Sequence, residues 1–304
     1  MTYSTSKVIE SEFDTACVQS KNTQDEEIDT NDKKTITAFS VYLLERRIDC
    51  MDVFAIVEAV EKACNEDKKI ILANYNINAF NLSMQLPWYQ EFLQNADIVN
   101  CDGMGILKAI SIMGLDLPLD YRVSYTLLMP KILENCNQNE FSVFLLGGKY
   151  KHLNSSLDNL NLNYPKIILA GHHGYFDKED SEANQVLIKQ INQLKPNILL
   201  VGMGMPIQEY WVNKYRDSLN VNTIMLGGAI IDRIAGIVPD CPHLIAMSGF
   251  EWLYRLLREP KRLAARYLLG NSAFGLHIVL AIFNKSRLRV EFTSKVEKNN
   301  IEMK

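Results

Sequence analysis

The sequence predicts an α/β fold: a Rossmann-like, mostly parallel sheet flanked by helices, with a basic amphipathic helical appendage at the C-terminus. Three observations lead there. From about Thr37 onward, short β-branched or aliphatic runs alternate with longer segments of helical period, the pattern of parallel strands joined by crossover helices. Four of the short runs end in polar or glycine-rich turns, which in such sheets converge beyond the carboxyl ends of the strands. With 304 residues, 47% of them apolar and 22% charged, the chain can bury one sizeable core but not two.

The elements follow in order. Residues 1–36 are polar and carry the acidic run Asp25-Glu26-Glu27, so they read as a disordered leader, with an interaction tail as the alternative. Residues 37–242 read as the core and 243–304 as the appendage and tail. Strands are predicted at Ser40–Leu44, Lys69–Asn74, Asp97–Cys101, Ser142–Leu146, Ile167–Ala170, Asn197–Val201 and Thr223–Leu226. Helical patterns fall at Asp52–Cys64, Tyr89–Asn95, Met104–Met113, Ser124–Cys136 and Glu182–Leu194, and Pro206 suits the first turn of a further helix carrying Gln208 and Glu209.

Composition narrows the function classes. A net charge of -4 and a pI near 5.8 exclude a surface built as a whole for nucleic acid, and leave any attraction to anionic lipid local. The six cysteines form no C-x-x-C pair and no cleavable signal peptide is visible, which fits a reducing cytoplasm. The adjacent His172 and His173 are poorly spaced for one metal ion, and no metal or cofactor is expected. The longest apolar run, Ala273–Phe283, is interrupted by Gly275 and His277 and is shorter than the about 18 to 20 residues of a spanning helix.

The four turns are Asn74-Tyr75-Asn76, Asp102-Gly103-Met104-Gly105, Gly147-Gly148-Lys149 and Gly202-Met203-Gly204-Met205-Pro206. Their glycines permit close backbone approach, and the helix N-termini that follow offer N–H groups to a diphosphate. Lys108 and Ile207 stand where a dinucleotide fingerprint needs its third glycine, and Tyr150 follows Gly148-Lys149 where a Walker loop needs Ser or Thr.

These turns belong to a series that runs in one order from Asn74 to Asn271. It comprises Ala96–Gly105, Tyr121-Arg122-Val123, Phe144–Gly148, Gly171–Phe176, Val201–Trp211, Gly227–Asp232 and Phe250–Leu263. In that order the motifs resemble the WecG/TagA/CpsF family of bacterial glycosyltransferases. The resemblance implies an inverting, metal-independent transfer from a UDP-sugar donor to a polyprenyl-diphosphate-linked acceptor, at the cytoplasmic face of the membrane. Donors across such a family include N-acetylmannosamine, its uronic acid and glucose, feeding surface polysaccharides.

Residue chemistry agrees with that implication. An inverting transfer needs a base for the acceptor hydroxyl and a means of holding the departing diphosphate. Asp102, at a strand end and on the family's presumed base position, is the candidate base, with helix capping as the bland alternative. Asn76 keeps the family's asparagine. Arg122 matches the family's core arginine, whose fork suits phosphate, though a salt bridge to Asp116 or Asp120 would also explain it. Gln208 can donate and accept toward a sugar hydroxyl or N-acetyl group, while Glu209 equally suits the helix dipole. Gly147, Gly148, Gly204, Tyr175 and Asp232 match the donor side, the last two toward the nucleotide.

Departures leave the sugars open. Asn74 stands where threonine is frequent, Tyr125 and Leu127 replace the usual glycine and aspartate, and Ile231 and Arg233 replace flanking phenylalanines.

In the appendage, Arg255, Arg258, Arg262 and Arg266 recur at helical spacing on either side of Pro260, which breaks the helix in two. Beside them run Trp252, Leu256, Leu263 and Tyr267. A helix pair lying on an anionic membrane surface fits this pattern, with Arg255, Arg262 and Arg266 also available to the diphosphate. A homo-oligomer is compatible with the sequence, which displays no contact surface. Two other readings compete: a nicotinamide-dependent oxidoreductase in the same crevice, separable by UDP against NAD binding, and a non-catalytic membrane scaffold, which would release no UDP.

Overall fold

The computed structural model describes residues 39–239, 241–242, 245 and 251–292, apart from the side chains of residues 251, 262 and 265. The leader expected at 1–36 lies outside them. The described chain opens with β1 (Phe39–Leu43) and β2 (Arg46–Cys50), an antiparallel pair. Where the sequence predicts one strand, there are two, because Leu44 and Glu45 turn the chain with φ of 49° and 63°, the twist a tight hairpin requires. α1 (Val53–Asn65) then starts on Asp52, whose carboxylate accepts from the Ala55 amide at 2.8 Å.

Alternation follows as expected. β3 (Ile70–Tyr75) leads to α2 (Ile77–Gln85) and α3 (Pro87–Asn95); β4 (Ile98–Cys101) leads to α4 (Met104–Ile112) and α5 (Tyr125–Asn139). β5 (Ser142–Gly147), α6 (Tyr150–Asn163), β6 (Ile168–His172), α7 (Ser181–Leu194), β7 (Ile198–Gly202) and α8 (Ile207–Tyr215) continue it. β8 (Thr223–Leu226), the short α9 (Ile230–Ile234), α10 (Glu251–Arg258), α11 (Pro260–Phe283) and β9 (Arg289–Phe292) complete the described chain.

The nine strands form one sheet in the order β6-β5-β7-β8-β3-β4-β2-β1-β9. From β6 to β2 every pairing is parallel; β1 and β9 are antiparallel additions. β5 and β7 are buried along their whole length, as apolar runs covered on both faces must be. One core, containing Phe80, Phe92, Trp211 and Phe274, packs on one face; a second, containing Ile56, Leu128, Met129 and Leu160, packs on the other.

Gly147 shows how tightly the carboxyl ends are joined. It pairs with Gly202 across β5 and β7 at a φ of 153°, and a methyl group there would overlap the Gly202 backbone carbonyl. Neither strand can yield without moving the turn beyond it. Gly147→Ala is therefore expected to cost about 3 kcal/mol, read as a fall in Tm of roughly 6 to 10 °C by calorimetry.

The C-terminal segment breaks after Arg258, where Pro260 opens a new helix, as the sequence predicts. Two features differ from expectation. β9 returns to the central sheet and pairs with β1, so the segment is tied to the core beyond α11. The Tyr42 hydroxyl donates to Glu291 at 2.8 Å, while the Arg289 guanidinium lies over the Tyr42 ring. α11 is also longer and more apolar than the run at Ala273–Phe283 indicates: its stretch Arg266–Phe283 is long and apolar enough to cross a membrane, by length and composition, with only 17% buried. Phe274, Ile278 and Ala281 face the core, Phe274 edge-on to Phe80, and Asn81 of α2 donates to the Gly270 carbonyl at 2.8 Å. Leu268, Leu269, Leu276, Val279, Leu280 and Phe283 are exposed.

Candidate active site

The carboxyl ends of the parallel strands open on one cavity of about 700 Å³, within the range of small-ligand pockets. All four sequence-predicted turns reach it: Asn74 and Asn76 at the end of β3, Asp102 after β4, Gly148 and Lys149 after β5, Gly202 to Met205 at the end of β7. The turn after β8 adds Gly227, Gly228 and Asp232; the loop after β6 adds Gly174, Tyr175 and Lys178. Arg255, Glu259, Leu263, Arg266 and Tyr267 come from α10, α11 and the residue between them. Among the described residues, Gly147, Arg122 and Gln208 do not line it.

Asp102 is set by the ladder. Its N–H donates to the Tyr75 carbonyl at 2.8 Å, extending the β3–β4 pairing by one step and delivering the side chain to the cavity. Asn76 is fixed in turn as the N-cap of α2, its Oδ1 accepting from the Ala79 amide at 3.0 Å. That leaves its Nδ2 to donate to Asp102 Oδ2 at 3.4 Å. Burial pushes the Asp102 carboxyl above the ordinary carboxylate range; the Asn76 hydrogen bond and the charges of Arg233, Arg122 and Arg266 oppose it. A partly desolvated carboxylate with one fixed donor and cations around it can accept a proton from an alcohol brought into the cavity.

Arg122 is 5% exposed, behind Asp102 and Cys101, both of which its charge stabilises as anions. It is placed to tune the carboxylate from within the fold, and the surface ion pair considered from sequence does not suit so buried a side chain.

Gln208 departs most from its expected role. It is fully buried, and its Oε1 accepts from the backbone N–H of Gly204 at 3.2 Å and of Gly228 at 3.0 Å. Its Nε2 donates to Glu209 Oε1 at 2.9 Å. The side chain thus ties two turns of the cavity together from behind and does not face a sugar. It also engages the amide of Gly204, which lies in a turn that the sequence reading offers to a diphosphate. Glu209 stands in the first turn of α8, where a carboxylate suits the helix dipole, but is only 1% exposed: burial pushes its carboxyl up to about 7 against hydrogen bonds from Gln208 and its own backbone.

On the other side, His152 Nδ1 lies 2.7 Å from Asp232 Oδ1, and both residues line the cavity. The imidazole N–H donates to one carboxylate oxygen and leaves the other for a ligand. Tyr175 is 69% exposed at the rim. Its loop is pinned by Lys178, whose ammonium donates to the Gly174 and Phe176 carbonyls at 2.5 and 2.7 Å. Arg233 donates to Thr126 Oγ1 at 2.7 Å. Asn74 and Tyr125, 4% and 8% exposed, line the cavity with Oδ1 and the hydroxyl unpartnered among the described residues.

Arg255 and Arg266 of the expected membrane stripe turn toward the cavity, as do Leu263 and Tyr267; Arg258 is exposed. The side chain of Arg262 lies outside those described. The exposed apolar surface sits further along α11 than the Trp252-to-Tyr267 stripe indicates, although Trp252 is itself 40% exposed.

His152, Lys178 and Arg233 were not singled out as site residues from sequence. The usable signal for His152 was its place in the first turn of the helix that follows Gly147-Gly148-Lys149.

Comparison with known proteins adds to this geometry. The family model described as the glycosyl transferase WecG/TagA/CpsF family matches residues 41–288. Among curated proteins, the chain is similar to the N-acetylglucosaminyldiphosphoundecaprenol N-acetyl-beta-D-mannosaminyltransferases of Staphylococcus aureus. With those of strains MW2 and NCTC 8325 it is 33% identical over 195 residues, 64% of this chain and 73% of each relative. With that of strain MRSA252 it is 32% identical over 194 residues.

Proposed function

This chain belongs to the WecG/TagA/CpsF family and is a glycosyltransferase, and we propose that it moves N-acetylmannosamine from its UDP-activated form onto a sugar carried by a polyprenyl diphosphate. The observation that carries this reading is the shared cavity: Asp102, held by Asn76, opens on the same space as the Gly204 and Gly228 turns and the cationic wall from the C-terminal helices. The transferred sugar and the acceptor are those in the names of the staphylococcal relatives.

In the proposed reaction, the acceptor hydroxyl attacks the anomeric carbon as Asp102 takes its proton. The bond from that carbon to the diphosphate oxygen breaks on the opposite face, inverting the configuration. Arg255, Arg266 and Arg233 meet the charge that collects on departing UDP. Asp232, steadied by His152, and Tyr175 receive the nucleoside. No residue in this scheme is assigned to a metal.

A lipid-linked acceptor brings the protein to a membrane, and the exposed face of α11 supports contact at the inner surface. α11 is fastened to α2 through Asn81 and followed by β9 in the central sheet. Lying on the bilayer keeps those bonds, whereas spanning it would break them.

The test is a transfer assay with the full chain, UDP-N-acetylmannosamine and N-acetylglucosaminyl-diphosphoundecaprenol in detergent, with UDP-N-acetylglucosamine and UDP-glucose as competing donors. The expected result is UDP release only when donor and lipid acceptor are both present, fastest with the mannosamine donor. Absence of a lipid-linked disaccharide with every donor would remove the reading.

A further inference from the structure

Glu209 is a buried acid that the proposed transfer chemistry leaves without a task. It sits in the first turn of α8, beneath the cavity, with its Oε2 unpartnered among the described residues and the Tyr89 ring beside it. A glutamine or an apolar side chain would occupy such a place at less desolvation cost than a carboxylate.

What Glu209 holds explains the placement. Backbone N–H groups only donate, so the Gln208 atom facing Gly204 and Gly228 must be its oxygen, whichever way the amide is first drawn. The amide nitrogen then points the other way and needs an acceptor inside the fold, and Glu209 Oε1 is that acceptor at 2.9 Å. Rotating the amide by half a turn would set an NH₂ against two N–H groups and leave all of them unsatisfied. The carboxylate thereby fixes one of two orientations, and that orientation clamps the turn after β7 to the turn after β8. Gly204 and Gly228 both carry positive φ, 81° and 59°, with open space where a side chain would stand. The β7–β8 ladder continues only as far as the Gly227 N–H to Val201 carbonyl bond at 2.8 Å, and beyond it the Gln208 contact is what joins Gly204 to Gly228.

We infer that Glu209 is a positioning residue for donor binding: through Gln208 it holds the Gly204 and Gly228 turns at the separation that a nucleoside diphosphate requires. The inference rests on the glycosyl-transfer reading for the identity of the ligand, but the clamp itself is a property of the free protein.

Two measurements on the full chain test it: UDP affinity by calorimetry, and hydrogen exchange of the Gly204 and Gly228 amides without nucleotide. In Glu209→Leu, both amides are expected to exchange at least tenfold faster, and UDP binding to weaken roughly tenfold, as loss of one charge-assisted hydrogen bond implies. The donor KM rises in step while kcat stays within about twofold, a split that general destabilisation would not produce. Glu209→Gln, whose amide oxygen can accept from Gln208, is expected to restore UDP affinity to within about threefold of wild type. If Glu209→Leu does not fold, Glu209→Asp decides, since its carboxylate falls one methylene short of Gln208 and must show the same weakening. Wild-type affinity in a folded Leu or Asp variant, or unchanged exchange at both glycines, would overturn the inference. Failure of the wild-type protein to bind UDP would instead strike the functional reading and leave the clamp to be judged by exchange alone.

Discussion

Asp102→Asn is expected to lower sugar transfer by about 10² to 10⁴-fold, the usual worth of a positioned general base, while UDP binding stays close to wild type. The substitution keeps the shape of the side chain and its contact with Asn76, so it removes the proton acceptor and little else. Stability moves the opposite way. Burial raises the Asp102 carboxyl above its unfolded value, so the folded chain binds that proton more tightly than the unfolded one. Its contribution is fully present below the ordinary carboxylate range and is lost as pH rises through the raised folded value. At pH 8 the ionised side chain therefore burdens the fold, and asparagine relieves it. Calorimetry is expected to show Asp102→Asn melting at or above wild type at pH 8, with the difference gone at pH 3. A Tm well below wild type at pH 8 would mean that the lost activity reflects damage to the fold.

The second large effect concerns the membrane. Leu276 and Leu280 are 58% and 48% exposed, four residues apart on one face of α11. Changing both to Glu is expected to reduce flotation of the full chain with anionic vesicles by about 100-fold in partition coefficient, since each leucine inserted into the acyl boundary contributes about 1.5 kcal/mol or more. Neither side chain is in the core, so Tm should stay near wild type. Transfer to a short-chain, water-soluble acceptor should also persist. Deleting the segment would be a poorer test, because it would strip β9 from β1 and Phe274 from Phe80. Equal flotation of the double variant and wild type would move the contact surface elsewhere.

What could be read from sequence depended on how local each signal was. The place of Asp102 at the cavity was legible because a four-residue strand and a glycine turn lie next to it in the chain. The parallel strands were legible because burial on both faces makes them apolar throughout. β2 was not, because three of its five residues are charged: Arg47 pairs with Asp49 at 3.3 Å, and Asp49 also accepts from the Val99 amide at 2.7 Å. Those charges serve neighbours fifty residues away that no local pattern reveals. α6 was missed although Leu153, Leu157 and Leu160 recur at helical spacing, because the exposed Asn154, Asp158, Asn159, Asn161 and Asn163 between and after them read as a polar loop. Gln208 could be recognised as important from its motif, but not the direction it faces, which Gly228 decides from twenty residues downstream. His152 is a lone histidine until Asp232, eighty residues away, is folded against it. The departures at Asn74 and Tyr125 proved to be cavity positions with unused polar atoms, a property that only burial exposes.

The closure of the sheet by β9 bears on how the chain folds as it is made. β1 lies near the start of the described residues, yet one of its edges waits for a partner about 250 positions later, as the Tyr42–Glu291 contact shows. During synthesis that edge stays unpaired until about 250 further residues have been made, a long-range closure of the kind that slows folding. α11 is completed before β9, so its apolar surface is available to a bilayer while the sheet is still open. When β9 docks, the vulnerable edge passes to a strand of four residues carrying Arg289 and Glu291, short and charged in the manner that discourages pairing between chains.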